Sequence, residues 1–490
     1  MAPSTPGRQQ YSQARLMLAR SRPELVAELA SLLGDRGMLA GSDAAPYCRD
    51  WRDLYHGAAL TVIRPADTAE LAAAVRICAA HGIAMVPQGG NTSMVGGAVP
   101  SEDATQVVVS LARLNRIRDV NADDMTMIAE AGVPWKAAQD AAAEAGCLLP
   151  LSISSEGTAQ VGGILSTNAG GNNTVRYGNA RDLVLGIEAV LPDGEVLHAL
   201  RRLRKDNTGY ALRQLLVGAE GTLGFITAAV LKLAPRPLQT EVALCAVPSP
   251  EAATALFRAA QRHDAAAIQA FEYMSGTGMG FVLRHIPGVT LPLASPAPHY
   301  ALIELASTRE GANLRESLEQ ILEAALESGT IEDAALAESD AQRQAIWKLR
   351  EEHAEAQRRE GASVKNDVSV PVSTVPELIA RATAACEALI SGVRAVPFGH
   401  LGDGNIHFNL EQPIDWTAAD FLARADDIMH TVNDVVRDLG GSFSAEHGVG
   451  RLKTGMMPEW RGGVELETMR RIKAALDPQG LMNPGKLFPL

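Results

Sequence analysis

Three glycine clusters, each set directly after an apolar run, constrain this 490-residue chain more than any other feature. They read P-Q-G-G-N-T-S-M-V-G-G over residues 87–97, S-E-G-T-A-Q-V-G-G-I-L-S-T-N-A-G-G over 155–171 and G-A-E-G-T-L-G-F-I over 218–226. Glycine tolerates left-handed backbone angles and lets the main chain approach a ligand closely, and runs of exposed N–H groups form nests for phosphate oxygens. One glycine pair at a strand end is commonly a plain turn. Three clusters in one half of the chain point to an extended, phosphate-bearing ligand. A nicotinamide Rossmann domain does not fit. It needs G-x-G-x-x-G between a first strand and its helix, with an acid about 20 positions on. No cluster has that spacing, and the G-T-G-M-G at 276–280 lies in the other half of the chain.

The pattern around the clusters is mixed. An amphipathic helix is expected over residues 22–33, a strand over 60–65, and a helix capped by Thr68 and stopped at Gly82. Further strands are expected over 83–90, 107–111 and 125–132, with an Asp193–Gly194 hairpin inside the next apolar stretch. Prolines at 235, 237, 248 and 250 mark a change of texture. Strands at 241–247, 268–274 and 300–305 then alternate with helices at 250–262 and 309–328, which suggests a sheet covered on one face by helices, of ferredoxin-like type. The reading is an α+β chain divided at about 1–54, 55–235, 236–450 and 451–490.

A net charge of −13 argues against a nucleic-acid binder and leaves room for an anionic small molecule in a local cleft. Five scattered cysteines with no C-x-x-C suggest a reducing compartment, cytoplasmic or, in a eukaryote, the mitochondrial matrix. No apolar run approaches membrane-spanning length. The first 23 residues lack acids and carry Arg8, Arg15, Arg20 and Arg22, as a mitochondrial presequence or a frayed tail would.

The chemistry concentrates later. In G-H-L-G-D-G-N-I-H-F-N (399–409) one strand delivers His400 to its end, a Gly-Asp-Gly-Asn turn follows, and His407 and Asn409 share a face of the returning strand. About forty residues on, A-E-H-G-V-G-R-L-K (445–453) sets Glu446 beside His447, with glycines that can turn both inward. Two imidazoles and a carboxylate with open positions suit a divalent ion in a Lewis-acid role; loop-capping histidines and a plain hairpin are the bland alternative.

The three clusters, the R-Y-G at 176–178 and the closing L-D-P-Q-G-L-M-N-P-G-K-L-F (476–488) resemble the vanillyl-alcohol-oxidase (PCMH-type) flavoprotein family in motif, order and spacing, over about residues 45–490. The resemblance implies a PCMH-type FAD-binding domain at 55–235, a ferredoxin-like α+β substrate and metal domain at 236–450, and a C-terminal segment returning to the flavin. It implies that Gly89, Gly90, Asn91, Thr92 and Ser93 hold the pyrophosphate, with Pro87 also at the cofactor. Pro150, Gly157, Thr158, Gly162, Gly163, Thr167, Asn168, Gly171, Glu220, Gly221 and Ile226 would line the rest of the cofactor, with Asn483 and Lys486 closing over it. No His or Cys matches the family's covalent attachment sites, so non-covalent FAD is expected.

H-L-G-D-G-N-I-H-F-N and E-H-G-V-G are similar to the motifs of the D-2-hydroxy-acid dehydrogenases acting on D-lactate, glycolate and D-2-hydroxyglutarate. The similarity implies metal ligands at His400, His407 and Glu446 (zinc foremost, manganese or iron otherwise), His447 as base and substrate contact, and Asn409 orienting the substrate. The pattern R-x(14)-K-x-D-V-S-V-P, from Arg350 to Lys365 and beyond, resembles the D-2-hydroxyglutarate branch, where this pair clamps the distal carboxylate. Ala354 departs from that branch, which carries a hydroxyl residue there, so a malate-like, longer or bulkier substrate stays open. The expected activity is FAD-linked oxidation of a D-2-hydroxy acid to the 2-oxo acid. The alternatives are a D-lactate or glycolate enzyme and a metal-independent flavoprotein oxidase. An electron-transfer flavoprotein or a quinone is the expected acceptor, and a homodimer the expected assembly.

Overall fold

The computed structural model describes the backbone of residues 7–489 and the side chains of 22–489. The presequence reading therefore rests on arginines, Arg8, Arg15 and Arg20, whose side chains lie outside the described residues. The first helix, Gly7–Gly37, bends at Gly34, whose φ is +61°. It buries Leu25, Leu29 and Leu33, one per turn, against the first sheet.

That sheet has four strands in the order Met38–Leu39, Ala59–Ile63, Gln106–Ser110, Met85–Gln88, the last three mutually parallel. Val107, Val108 and Val109 are fully buried, as expected for a parallel strand covered on both faces. The helix Thr68–Ala80 is capped by Asp67, whose side chain accepts from Glu70 N, and not by Thr68. Asp67 holds the extended backbone a cap requires, and the Thr68 hydroxyl donates to Glu188 instead, at 2.7 Å.

An antiparallel five-stranded sheet follows, ordered Ile117–Asn121, Thr126–Glu130, Phe225–Lys232, Val184–Val190, Val196–Ala199. Asp193 and Gly194 turn the last hairpin, with Gly194 at φ +82°. The helix Trp135–Glu144 presses Trp135 into this core, and its indole donates to Leu151 O at 2.8 Å. Trp135 N also donates to Ala159 O at 2.8 Å, so this residue pins the chain around the second glycine cluster.

From Gln239 on, the chain builds an eight-stranded sheet, antiparallel at every pairing. Its order is Asp333–Leu336, Gln239–Val247, His299–Ser307, Ile268–Ser275, Arg394–His400, Asn405–Glu411, Ser363–Val364, with Asp367–Ser369 also paired to Asn405–Glu411. Helices cover both faces of it, not one. Ala243, Cys245 and Val247 pack with the helices Pro250–Asp264 and Leu314–Glu327. Val242, Leu244 and Ala246 pack on the other side with Gly276–His285 and Asp340–Glu351. The physical reason is in the strand itself: V-A-L-C-A-V has no polar face to leave in water.

After the helix Val464–Leu476 the chain returns to the first sheet. Met482 bridges to Met85, and Asn483 N donates to Met85 O at 2.8 Å. The Lys473 ammonium ties that return down by donating to Thr222 O at 2.7 Å and Met482 O at 2.9 Å. None of the described helices is long and apolar enough to cross a membrane.

Trp135→Ala should destabilise the first half by roughly 3–5 kcal/mol, because it empties a fully buried site and takes the indole donor away from Leu151 O. Denaturant unfolding measures this; a loss under about 1 kcal/mol would mean the site collapses without consequence.

Candidate active site

One face of the eight-stranded sheet gathers the polar groups. His407 and Asn409 lie opposite Phe398 and Val396 in register, on the face that carries the helix Asp340–Glu351. The neighbouring strand contributes Glu272, a fully buried acid in an apolar strand. Its carboxylate binds two groups at once, accepting from Arg350 Nε at 2.6 Å and pairing with His400 Nδ1 at 2.7 Å. Burial alone would raise Glu272, but Arg350 and His400 outweigh it and hold the group at about 2. Burial would likewise lower His400, yet Glu272 lifts it to about 9. The Arg350 guanidinium stacks over Phe398, 4.9 Å from the ring centre.

A second buried carboxylate, Asp367, organises the rest. Its Oδ1 accepts from Asn405 Nδ2 at 2.9 Å, and its Oδ2 accepts from the backbone N–H of Glu446 and of His447, at 3.0 Å each. Asp367 Oδ1 lies 3.7 Å from His407 Nδ1, and Asp367 Oδ2 lies 3.4 Å from His447 Nδ1. On the far side of both rings, Glu446 Oε1 is 3.8 Å from His407 Nε2 and 3.5 Å from His447 Nε2. The two imidazoles stack with centres 5.9 Å apart. Burial pushes His407 well below its usual range, against the pull of Asp367. Asp367 is itself buried, a pressure upward, but His447, Lys453 and His407 hold it well below the ordinary carboxylate range.

Among the described residues, Asp367, His407, Glu446 and His447 offer ligand atoms all within 4.8 Å of one another. His400 stands beside this group, its ring 5.7 Å from that of His407. Glu446 and His447 sit in a loop, and glycines at φ +80° (Gly448) and +51° (Gly450) make the turn that aims both side chains inward.

Lys365 lies between two short strands. Its ammonium donates to Gln357 Oε1 at 2.9 Å, and Asn409 Nδ2 donates to the same oxygen at 3.0 Å. Burial lowers Lys365 to about 8. Arg350 and Lys365 have different acceptors, Glu272 for the first and Gln357 for the second. Two helices, Asp340–Glu351 and His353–Glu360, carry Arg350 and Gln357 and part at Glu352.

The glycine-rich half comes up against this cluster directly. A Cβ on Gly170 would lie 3.4 Å from Glu446 Oε2, and one on Gly402 would lie 3.0 Å from Val175. The Glu220 carboxylate accepts from Val449 N and Gly450 N, at 2.7 Å each, and so anchors the loop that carries Glu446 and His447.

The residues expected to cradle a dinucleotide fall into two groups. Gly90, Gly162, Gly171 and Gly221 have no room for a Cβ, which would meet Thr158 O, Ala131, Ser152 O and Pro87. Pro87 and Ile226 are strand residues, Pro150 is buried, and Asn91 donates to Arg49 O. Thr167 donates to Gly163 O, and Asn168 ends its helix in the left-handed region while accepting from Arg181 N. Ser93 Oγ accepts from Val95 N and Gly97 N, with Gly89 and Thr92 half-buried around it. Gly157 and Gly163 face open space, and Thr158 is exposed. Asn483 donates to Gly97 O and Glu220 O, while its Oδ1 and Gln160 Oε1 are buried without a partner among the described residues. Lys486 is buried and lowered by that burial to about 8. Open glycine backbone, orphaned amide oxygens and a buried ammonium make a cleft that suits a pyrophosphate-bearing flavin.

Sequence reasoning passed over Glu272, Asp367 and Gln357. A lone acid inside the apolar strand A-F-E-Y-M, and an acid two residues from Lys365, are the signals that mark the first two.

Comparison with known proteins fits this geometry. Residues 59–200 match the FAD binding domain family, and residues 236–487 match the family of FAD linked oxidases, C-terminal domain. A D-2-hydroxyglutarate dehydrogenase from Xanthomonas citri pv. viticola is 37% identical over 91% of this chain and 93% of its own. The mitochondrial D-2-hydroxyglutarate dehydrogenase of Bos taurus is 34% identical over 98% of this chain and 86% of its own. In fold, p-cresol methylhydroxylase superposes with a TM-score of 0.74 at 16% identity, covering 95% of this chain and 96% of that one. The chain thus belongs to the FAD-linked oxidase family, with a PCMH-type fold, and is an FAD-dependent dehydrogenase.

Proposed function

We propose that the chain oxidises a D-2-hydroxy diacid, D-2-hydroxyglutarate foremost, to the 2-oxo acid, with residues 55–235 holding FAD and 236–450 holding substrate and a divalent ion. The observation that carries this reading is the half-buried Lys365, whose ammonium donates to the same Gln357 oxygen as Asn409 Nδ2, in the same layer as Arg350 and with Glu411 as the nearby acid. A monocarboxylate that spends its one carboxylate at the metal has no use for it. The names of the relatives agree.

His400, His407 and Glu446 would hold the ion. Metal-binding imidazoles usually give their other ring nitrogen to a carboxylate, and here Glu272 stands at Nδ1 of His400 and Asp367 at Nδ1 of His407. Asp367 has its own oxygens committed to Asn405 and to two backbone N–H groups, so it orients the rings and leaves ligation to the others. Zinc suits two nitrogens and one oxygen with an open position; manganese and iron suit them too. A divalent ion there supplies Lewis acidity that lowers the pKa of the substrate hydroxyl. Bound FAD supplies the two-electron acceptor for the hydride from the α-carbon. His447 removes the hydroxyl proton at Nε2, its Nδ1 turned toward Asp367. Asn409 orients the substrate, and Arg350 with Lys365 fixes the distal carboxylate so that the α-hydrogen faces the flavin-binding half. Gly89, Gly90, Asn91, Thr92 and Ser93 cradle the pyrophosphate, with Asn483 and Lys486 closing over the cofactor and no covalent link. Electrons then pass to an electron-transfer flavoprotein or a quinone, in a reducing compartment that keeps all five thiols free.

Three measurements follow from anaerobic flavin reduction. D-2-hydroxyglutarate should reduce the flavin far better than D-lactate, and Lys365→Ala should erase about 10- to 150-fold of that preference. Equal use of both acids, unchanged by the variant, would make Lys365 a bystander. His447→Ala should slow reduction by about 10²–10⁴-fold with substrate binding retained; a loss under about tenfold would assign the proton to another group. Asp367→Asn should slow it by about 10–100-fold without loss of FAD, since it removes the charge behind two imidazoles; wild-type rates would remove Asp367 from the account.

A further inference from the structure

We propose that Arg451 joins Lys486 in binding the pyrophosphate of FAD, an inference that rests on the first glycine cluster and Lys486 holding that group. Three segments far apart in sequence meet at the end of this cluster. Arg451 N and Leu452 N both donate to Val95 O, at 2.9 and 3.2 Å. Gly450, at φ +51°, allows the approach, since a Cβ there would lie 2.4 Å from Val95 O. Leu487 N in turn donates to Gly450 O at 3.0 Å, which sets Lys486 beside Arg451. Asn483 Nδ2 donates to Gly97 O at 3.1 Å and ties the same segment to the cluster. The Arg451 guanidinium lies over the Tyr55 ring, 5.6 Å from its centre. Tyr55 packs in turn on Gly96, where a Cβ would come within 2.9 Å of the ring.

Two cations therefore converge where acid is scarce. Lys486 is buried, and its Nζ donates only to Pro484 O, at a long 3.4 Å. Burial first, and then the charge of Arg451, bring it down to about 8. Glu220 pulls the other way, but both its oxygens are taken by Val449 N and Gly450 N. The acid nearest Arg451 is Glu102, 4.0 Å away and 78% exposed, a surface pair worth little. A surface arginine is ordinarily solvated along its whole length. This one is held on an aromatic face and placed by backbone bonds, yet keeps 36% of its side chain open to a ligand. Like charges brought together in a half-buried corner are costly until an anion answers them. A doubly charged pyrophosphate is such an anion, and the planar guanidinium presents paired donors that suit phosphate oxygens. Arg451 follows His447 by four residues, so the bound cofactor also steadies the loop that carries Glu446 and His447.

The test is retention of FAD by the purified holoenzyme, read as free-flavin fluorescence on serial dilution at several salt concentrations. Arg451→Gln should raise the Kd for FAD at least about tenfold, and Arg451→Lys should recover part of the loss. Retention by the unmodified enzyme should also weaken with salt more steeply than retention by Arg451→Gln. FAD held as tightly by Arg451→Gln as by the unmodified enzyme would overturn the inference. Equal losses in the Gln and Lys variants with an unchanged salt dependence would do the same, because they would leave Arg451 only a packing role on Tyr55. If Arg451→Gln does not fold, Arg451→Met, whose side chain still covers Tyr55, carries the same prediction and the same refutation. Lys486→Gln is measured alongside: FAD loosened there but not in Arg451→Gln defeats the inference alone, and FAD unmoved in both defeats the reading it rests on.

Discussion

The buried carboxylate of Asp367 is the point on which the catalytic half depends. It accepts the N–H groups of Glu446 and His447, so the loop carrying these side chains is placed through its backbone as well as by its glycines. The same carboxylate stands behind His407 and His447 and takes the amide of Asn405 at the hairpin turn. Burying a charge without partners costs several kcal/mol, and here both oxygens accept hydrogen bonds, one at Oδ1 and two at Oδ2. Arg350, His400 and Glu272 repeat the arrangement across two intervening strands, with one buried acid shared between a guanidinium and an imidazole. Two carboxylates thereby turn three imidazoles so that one nitrogen of each is left for chemistry.

The flavin-binding half is built into this arrangement. Glu220 sits in the third glycine cluster, at a left-handed φ of +50°, and its carboxylate is spent on Val449 and Gly450. Through that contact the cluster that the sequence reading gives to the cofactor also sets the height of the His447 loop. Gly170 packs beside Glu446 and Val175 beside Gly402, so a side chain at either glycine would push the two halves apart. Arg176 adds a direct tie, donating to Ala306 O at 2.8 Å. A site assembled across such an interface exists only when both halves are docked, which suits a reaction that must bring an α-carbon against a flavin.

Local signals carried much of the architecture and of the chemistry. Glycine runs after apolar stretches, an Asp-Gly hairpin and a period-two hairpin bearing His407 and Asn409 are all readable within a dozen residues. The groups that sequence reasoning passed over are those defined by distant partners. Asp367 meets its backbone donors 79 and 80 residues on, and Glu272 meets His400 across 128. No local period reports such pairs. The layer count was misjudged for a related reason: alternation of strands and helices shows that helices cover a sheet, but only the absence of a polar face along 242–247 shows that both sides are covered. The cap at Asp67 was missed in favour of Thr68 because both residues can cap, and the choice was settled by Glu188, more than a hundred residues away.

The central claim is that the Nε2 atoms and the Glu446 carboxylate, held in place by Asp367 and Glu272, serve a divalent ion at the reacting hydroxyl. It is tested most directly by the divalent-metal content of the active holoenzyme, followed on one preparation alongside the rate of flavin reduction as the metal is withdrawn with a chelator. The account predicts a single ion per chain, lost in proportion to the rate and restored with it, while FAD stays bound throughout. An ion-free protein whose flavin is still reduced at the full rate would contradict it.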